Sequence, residues 1–296
     1  MLVSLVPGAD PRTVLKTLFD QKTTIGNSSG KVANYLDWAL TTAGLLRNQI
    51  QPSDIERLIF TPRLWRLQEL GDGTMLSQRL LSAELVEQAD VFDKAWAALQ
   101  AEIDRWNPAE AHLVVVDTSV FIGHPNKIRE IEYADIIGAR SEPVRLVVPR
   151  VVIDELDRLK ESGNQVVRWR AGHTLGVLDE LLTVPKGRAT VREADDFAAV
   201  AAAGGMPHGV VTVEVFFDDP RHVRLDDNDD EIIDRALAVQ AYAGQRVHLL
   251  TMDTSMALRA RMLGLQVHKV TRPLGDEPAS ADPKPARGNG RTLAQR

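Results

Sequence analysis

Four acidic residues stand where a carboxylate can do chemistry as well as meet water. Asp117 directly follows the apolar run HLVVV (112–116) in VVVDTSVF. Glu155 sits in PRVVIDELDRLK, whose helical pattern starts just after RLVVP (145–149). Asp229 opens the helical pattern NDDEIIDRALAVQ with Asp230 beside it, and Asp253 follows VHLLT (247–251) in LLTMDTSMALRA. Residues 239–271 hold four Lys/Arg and no acid besides Asp253, so that carboxylate stands alone in a basic stretch. Carboxylates gathered from separate segments repel one another unless a cation joins them or protons neutralise some of them. With no Cys and no His pair, a hard, oxygen-loving Mg2+ or Mn2+ suits such a set, and such ions serve phosphodiester chemistry. Taken singly, each acid also has a local role open to it. Asp117 and Asp229 suit helix N-caps, Glu155 a solvated helix position and Asp253 a turn.

Positioning these acids requires strands and helices in alternation. From His112 onward, short β-branched runs at 112–116, 145–149, 209–217, 247–251 and 265–270 are mostly separated by helical patterns. That texture predicts an α/β domain around a mostly parallel, buried sheet. In such sheets ligands bind beyond the carboxyl ends of the strands, the edge where these acids or the helices carrying them fall. Residues 183–224 hold more irregular and strand-like material than one crossover needs, which points to an insertion. Residues 1–110 read as helical instead. Asp10-Pro11 is an N-cap with a first-turn proline, opening a helix with Val14, Leu15 and Leu18 on one face. Ser28 or Ser29 suits the cap of a second helix, with Val32, Leu36, Leu40, Leu45 and Leu46 at helical spacing. Pro52-Ser53 starts a short helix with Ile55 and Leu58, and residues 76–106 supply one or two more with Leu80, Leu81, Leu85, Val86, Phe92, Trp96 and Leu99. Trp38, Trp65 and Trp96 are expected as core anchors. Residues 272–296 carry four prolines and no apolar period, which predicts a disordered tail. The expected organisation is an all-helical region at 1–110, an α/β domain at 111–271 and the tail at 272–296.

Composition narrows the classes further. The chain has 296 residues, 44% apolar and 26% charged, with no Cys. Wholesale disorder, a disulfide scaffold and a thiolate zinc site are excluded. No apolar run is long enough to span a bilayer, and MLVSLVPGADPR lacks the basic region of a signal peptide, so a cytoplasmic location is expected. The net charge is -6, unevenly spread: residues 140–192 carry ten basic against seven acidic residues, and 193–238 three against twelve. An acidic cluster beside a basic strip suits a site that holds cations and steers a polyanion.

The set DTSVF, VPRVVIDELDRLK, NDDEIIDRAL and LLTMDTSMALRARMLG, in this order and spacing over about 112–270, resembles the PIN-domain nucleases. It is most similar to the larger bacterial PIN domains related to those found beside PhoH-type ATPases. The resemblance implies a three-layer α/β/α domain with a five-stranded parallel sheet, and Mg2+- or Mn2+-dependent cleavage of single-stranded or structured RNA leaving a 5′-phosphate and a 3′-hydroxyl. It implies Asp117, Glu155, Asp229 and Asp253 as metal ligands or water positioners. Asp230 stays an alternative to Asp229, whose spacing to Ile232 and Ala236 matches the family. Thr118, Ser119 and Thr251 would orient the ligands, while Arg168, Arg170 and, more weakly, Arg259 would contact phosphate oxygens.

Other readings stay open beside this one: a catalytically silent RNA-binding or interaction protein, the toxin of a toxin–antitoxin pair, or a phosphatase on a similar sheet. A homo-oligomer, and a protein partner held by the N-terminal helices, belong to the same expectations. GNSSGK (26–31) falls one residue short of a phosphate loop, and DDNDDE (226–231) has Glu231 where a calcium loop needs Gly. The seven histidines show no zinc-binding pair, and 5% aromatic residues disfavours a stacking-based single-strand binder.

Overall fold

The computed structural model describes residues 3–107, 111–183, 187–218 and 222–271; the tail expected at 272–296 lies outside them. All five apolar runs become strands, because each is short, β-branched and covered by helices. They are β1 (His112–Val116), β2 (Val144–Pro149), β4 (Val211–Phe216), β5 (His248–Thr251) and β6 (Gln266–Lys269). β1, β2 and β5 are buried almost throughout. A sixth strand, β3 (Ala189–Arg192), comes from the extra material expected at 183–224, as does the short helix α10 (Phe197–Ala202). The six form one sheet in the order β3-β4-β2-β1-β5-β6, with every pairing parallel except β3 against β4. The five parallel strands implied by resemblance are therefore present, with one antiparallel edge strand added. ATVR is too short and too weakly alternating to declare itself in sequence.

The crossovers carry α6 (Thr118–Gly123), α7 (Tyr133–Ile137), α8 (Arg150–Leu159), α9 (Gln165–Leu181), α11 (Asn228–Ala243) and α12 (Thr254–Met262), which flank the sheet. From β1 the chain builds outward through β2 to β4, then crosses to β5 and β6 on the other side of β1. The strand order thus reverses beside β1, and the crevice at the carboxyl ends opens there.

The N-terminal region is helical as expected: α1 (Pro11–Thr24), α2 (Val32–Leu46), α3 (Pro52–Leu58), α4 (Pro62–Leu70) and α5 (Met75–Arg105). Asp10 caps α1 by accepting from the backbone N–H of Arg12 and Thr13, and Thr74 and Ser77 form a reciprocal capping box on α5. The cap expected for α2 is different. Ser28 lies in a 3-10 turn (Ile25–Ser28), and Asp72, beyond α4, accepts from the Val32 N–H at 2.6 Å. The buried face of α2 also departs from the leucine pattern. Leu40 and Leu45 are exposed, while Tyr35, Trp38, Ala39 and Thr42 are buried, because Trp38 packs edge-on against Phe92 of α5 and turns the helix. Trp65 is half-exposed and stacks on Phe60, so it is no core anchor. One continuous core joins the helices to the sheet. Trp106 is fully buried against Phe216, and Arg105 Nε donates to buried Glu214 Oε1 at 2.5 Å.

Candidate active site

Parallel pairing brings the ends of β1 and β5 side by side, and there the backbone N–H of Asp117 donates to Leu250 O at 2.9 Å. Two hydroxyls hold the Asp117 carboxylate. Thr251 Oγ1 donates to its Oδ2 at 2.7 Å, and Ser119 Oγ donates to the same oxygen. Each hydroxyl also accepts a backbone N–H, Ser119 from Met252 and Thr251 from Asp253, both at 3.0 Å. Asp253 is the N-cap of α12, and its Oδ1 accepts from the Met256 N–H at 2.8 Å. Its local role as a cap is therefore real and leaves its second oxygen outside that bond.

Glu155 lies on α8 but is tied to two other segments. Thr118 Oγ1, at the start of α6, donates to its Oε2 at 2.5 Å, and Asn228 Nδ2, opening α11, donates to its Oε1 at 2.7 Å. Arg224 fixes that amide by donating from Nη2 to Asn228 Oδ1 at 2.8 Å, with Nη1 on Asp154 at 2.9 Å. On α11 the cap is Asp227, not Asp229: Asp227 accepts from the Asp230 N–H, which leaves Asp229 in the first turn with its side chain available. Arg259 of α12 donates from Nη2 to Asp229 Oδ2 at 2.9 Å and from Nη1 to Asp230. The bonds run from α6 to α8, from α8 to α11, from α11 to α12, and from the end of β5 back to Asp117 after β1. Four distant stretches are joined in one ring at the carboxyl edge.

Electrostatics report the same proximity. Burial pushes the Asp117 carboxyl above the usual range; the Ser119 and Thr251 donors oppose this, and the charge of Glu155 adds to it. Asp229 is pushed up to about 6, first by burial, then by the charges of Asp117, Asp227 and Asp253, with Arg259 opposing. Asp229 thus feels the charges of Asp117 and Asp253 from α11. Negative charge outweighs positive here, and every donor atom is a hard oxygen, which fits a divalent cation of the Mg2+ type.

The three arginines expected at phosphate are each engaged within the chain. Arg168 Nη1 donates to Ser162 O at 3.0 Å, and Arg170 donates to Asn126 O and Pro125 O at 2.9 and 2.5 Å. Arg259 lies on the acids. Sequence reasoning missed Asn228, Arg224 and Asp227; the only signal was the dense run DDNDDE, where Asn and Asp compete for the cap. Two further clusters, Asp218 with His222 and Glu231, and Glu132 with Asp135 and His208, bring ligand atoms within 4.8 Å of one another. Each contains an arginine, Arg235 and Arg192 respectively, which supplies the counter-charge.

The mostly parallel sheet thus carries an acidic ring at its carboxyl edge. The PIN-domain profile matches residues 114–271, more than half of the chain, and the chain belongs to the PIN-domain family. PIN domains are generally nucleases that act on nucleic acid and typically use divalent metals. No curated protein matches the chain. Among solved structures, a domain of a functionally unknown protein from Methanocaldococcus jannaschii DSM 2661 is similar at 16% identity and a TM-score of 0.33, covering 58% of this chain and 100% of that one. A likeness of that degree carries no weight for function. Among the described residues no helix is long and apolar enough to cross a membrane.

Proposed function

We propose that this chain is a divalent-metal-dependent endoribonuclease that hydrolyses RNA phosphodiester bonds to a 5′-phosphate and a 3′-hydroxyl. The observation that carries this reading is the ring of bonds around Asp117, Glu155, Asp229 and Asp253, with Asp229 raised to about 6 first by burial and then by neighbouring acids, Asp117 and Asp253 among them. Acids held at this density by the fold need a cation to remain ionised together. Asp117, Asp229 and Asp253 would hold Mg2+ or Mn2+, with Glu155 completing the set and Asp230 beside Asp229. When bound, such an ion binds phosphate oxygens and stabilises charge developing on the leaving oxygen.

The chain's own residues do the rest. Thr251 and Ser119 favour the ionised form of Asp117 against its burial and fix its plane. Thr118 and Asn228 orient Glu155, which can accept a proton from water at the edge of the cluster. Arg259 offsets the charge of Asp229 and Asp230 and would meet a phosphodiester drawn into the crevice.

Purified protein is expected to cut single-stranded RNA with Mn2+ or Mg2+ and to stop in EDTA. Asp117→Asn should lose cleavage by at least a hundredfold while its melting temperature without metal stays equal to or above the parent's. Unchanged cleavage in that variant would sink the assignment of this site. RNA binding without turnover in any divalent ion would favour a silent binding protein on the same fold.

A further inference from the structure

One face of α9 carries an aromatic side chain that the chain's own packing does not use. Val166 and Trp169 are 66% and 53% exposed. Trp169 stacks on His173, one turn along, with centroids 5.1 Å apart and ring planes within 6°. About half of the indole's surface stays open to solvent. Lys127 Nζ lies over the indole ring, 5.9 Å from its centroid, and Gln165, Val166 and Arg168 line a recess of 520 Å³ with Trp169. Arg168 uses Nη1 on Ser162 O, and its remaining guanidinium N–H groups have no partner among the described residues. Arg170, bonded to the carbonyls of Pro125 and Asn126, pins the loop that presents Lys127.

Two glycines extend this face. Gly172 and Gly176 follow Trp169 at three and seven residues, so they share its side of the helix. A Cβ on either would meet nothing within 4 Å. No neighbour in the chain calls for glycine there, although glycine weakens a helix interior. Their effect is a flat path running past the indole. α9 packs on α6 and α8, the two helices that carry Thr118 and Glu155.

We propose that Trp169, backed by His173, is a stacking platform for an unpaired base of single-stranded nucleic acid, with Lys127 and Arg168 receiving the flanking phosphates. The inference rests on the nuclease reading and adds the feature that would select an unstacked strand. A planar aromatic pair flanked by cations matches a base and its phosphates. A protein partner would call for a broader apolar area than Val166 and one indole provide.

The test uses the full-length Asp117→Asn protein in EDTA, so that binding is read without cleavage. Titration with a short oligouridylate should quench tryptophan fluorescence, and a duplex of the same length should bind more weakly. Adding Trp169→Ala should remove most of the quench and weaken binding about tenfold or more, while Trp169→Phe restores most of the affinity. In the otherwise native protein, Trp169→Ala should raise KM with kcat little changed. Cleavage by the native protein together with unchanged affinity in Trp169→Ala overturns this inference alone. A fluorescence change that follows protein concentration without RNA overturns it in favour of contact with a second copy. Absence of both binding and cleavage overturns it together with the nuclease reading.

Discussion

Two hydroxyls converge on one oxygen of Asp117, and they offset the desolvation that would otherwise favour its protonated form. Thr251→Val keeps the shape of the side chain and removes one donor. The Asp117 pKa should then rise, so the acidic limb of the pH–rate profile moves to higher pH. The rate at neutral pH should fall about 10- to 100-fold, in line with losses of groups that orient metal ligands. A profile that keeps its position while its amplitude falls would mean that Thr251 only supports the backbone of Asp253. At this scale the sequence was most informative about residue type. Asp117 and Asp253 follow strand runs and open the next helix, and Glu155 lies inside the helix after β2; the structure brings their segments to one edge. It could not separate Asp229 from Asp230, because both lie in one helical turn and their difference is which side faces Asp117.

At the scale of elements, the start of β5 packs a buried titratable group against its neighbours. His248 Nδ1 lies 2.9 Å from His268 Nε2 of β6, and His112 of β1 meets its ring edge-on. Burial and the two neighbouring imidazoles hold His248 down at about 4, below its ordinary 6.5. The folded state therefore binds fewer protons than the unfolded state between those values. Stability should fall as pH drops from 6.5 towards 4, by on the order of 1–3 kcal/mol. Urea unfolding across this window should show a shallower dependence in His248→Phe than in the parent; equal slopes would refute the assignment. Most helices and strands were legible, since caps and buried runs are local signals. α4, α7, β3 and α10 were not, being short segments whose structure depends on what they pack against. α2 shows the same limit from another side: its leucines suggested one buried face, and Trp38 against Phe92 selected another.

Across the whole molecule, the helical region and the sheet share a core and a buried ion pair. Glu214 of β4 is almost fully buried and takes its charge partner from Arg105 at the end of α5. Arg105 also accepts, through its carbonyl, from buried Arg145 Nη1 at 2.6 Å. Replacing Arg105 by Met would leave Glu214 buried without that partner, at a cost of about 3 kcal/mol. The double change Arg105→Met with Glu214→Leu should recover much of the loss. Denaturant melts of both variants, followed by tryptophan fluorescence and by circular dichroism, test this. No loss in the single variant would show that other groups neutralise Glu214.

The amino-acid order alone determined the alternation of strands and helices after residue 111, the helical character before it, and the acids placed at strand ends. These follow from side-chain burial and capping within a few residues of chain. Only the tertiary structure decided that the acids share one edge, that Asp227 caps α11 and so leaves Asp229 to the cluster, and that Arg259 lies on the acids. Those outcomes depend on the strand order beside β1 and on helix packing across it, contacts between residues far apart in sequence that no local pattern encodes.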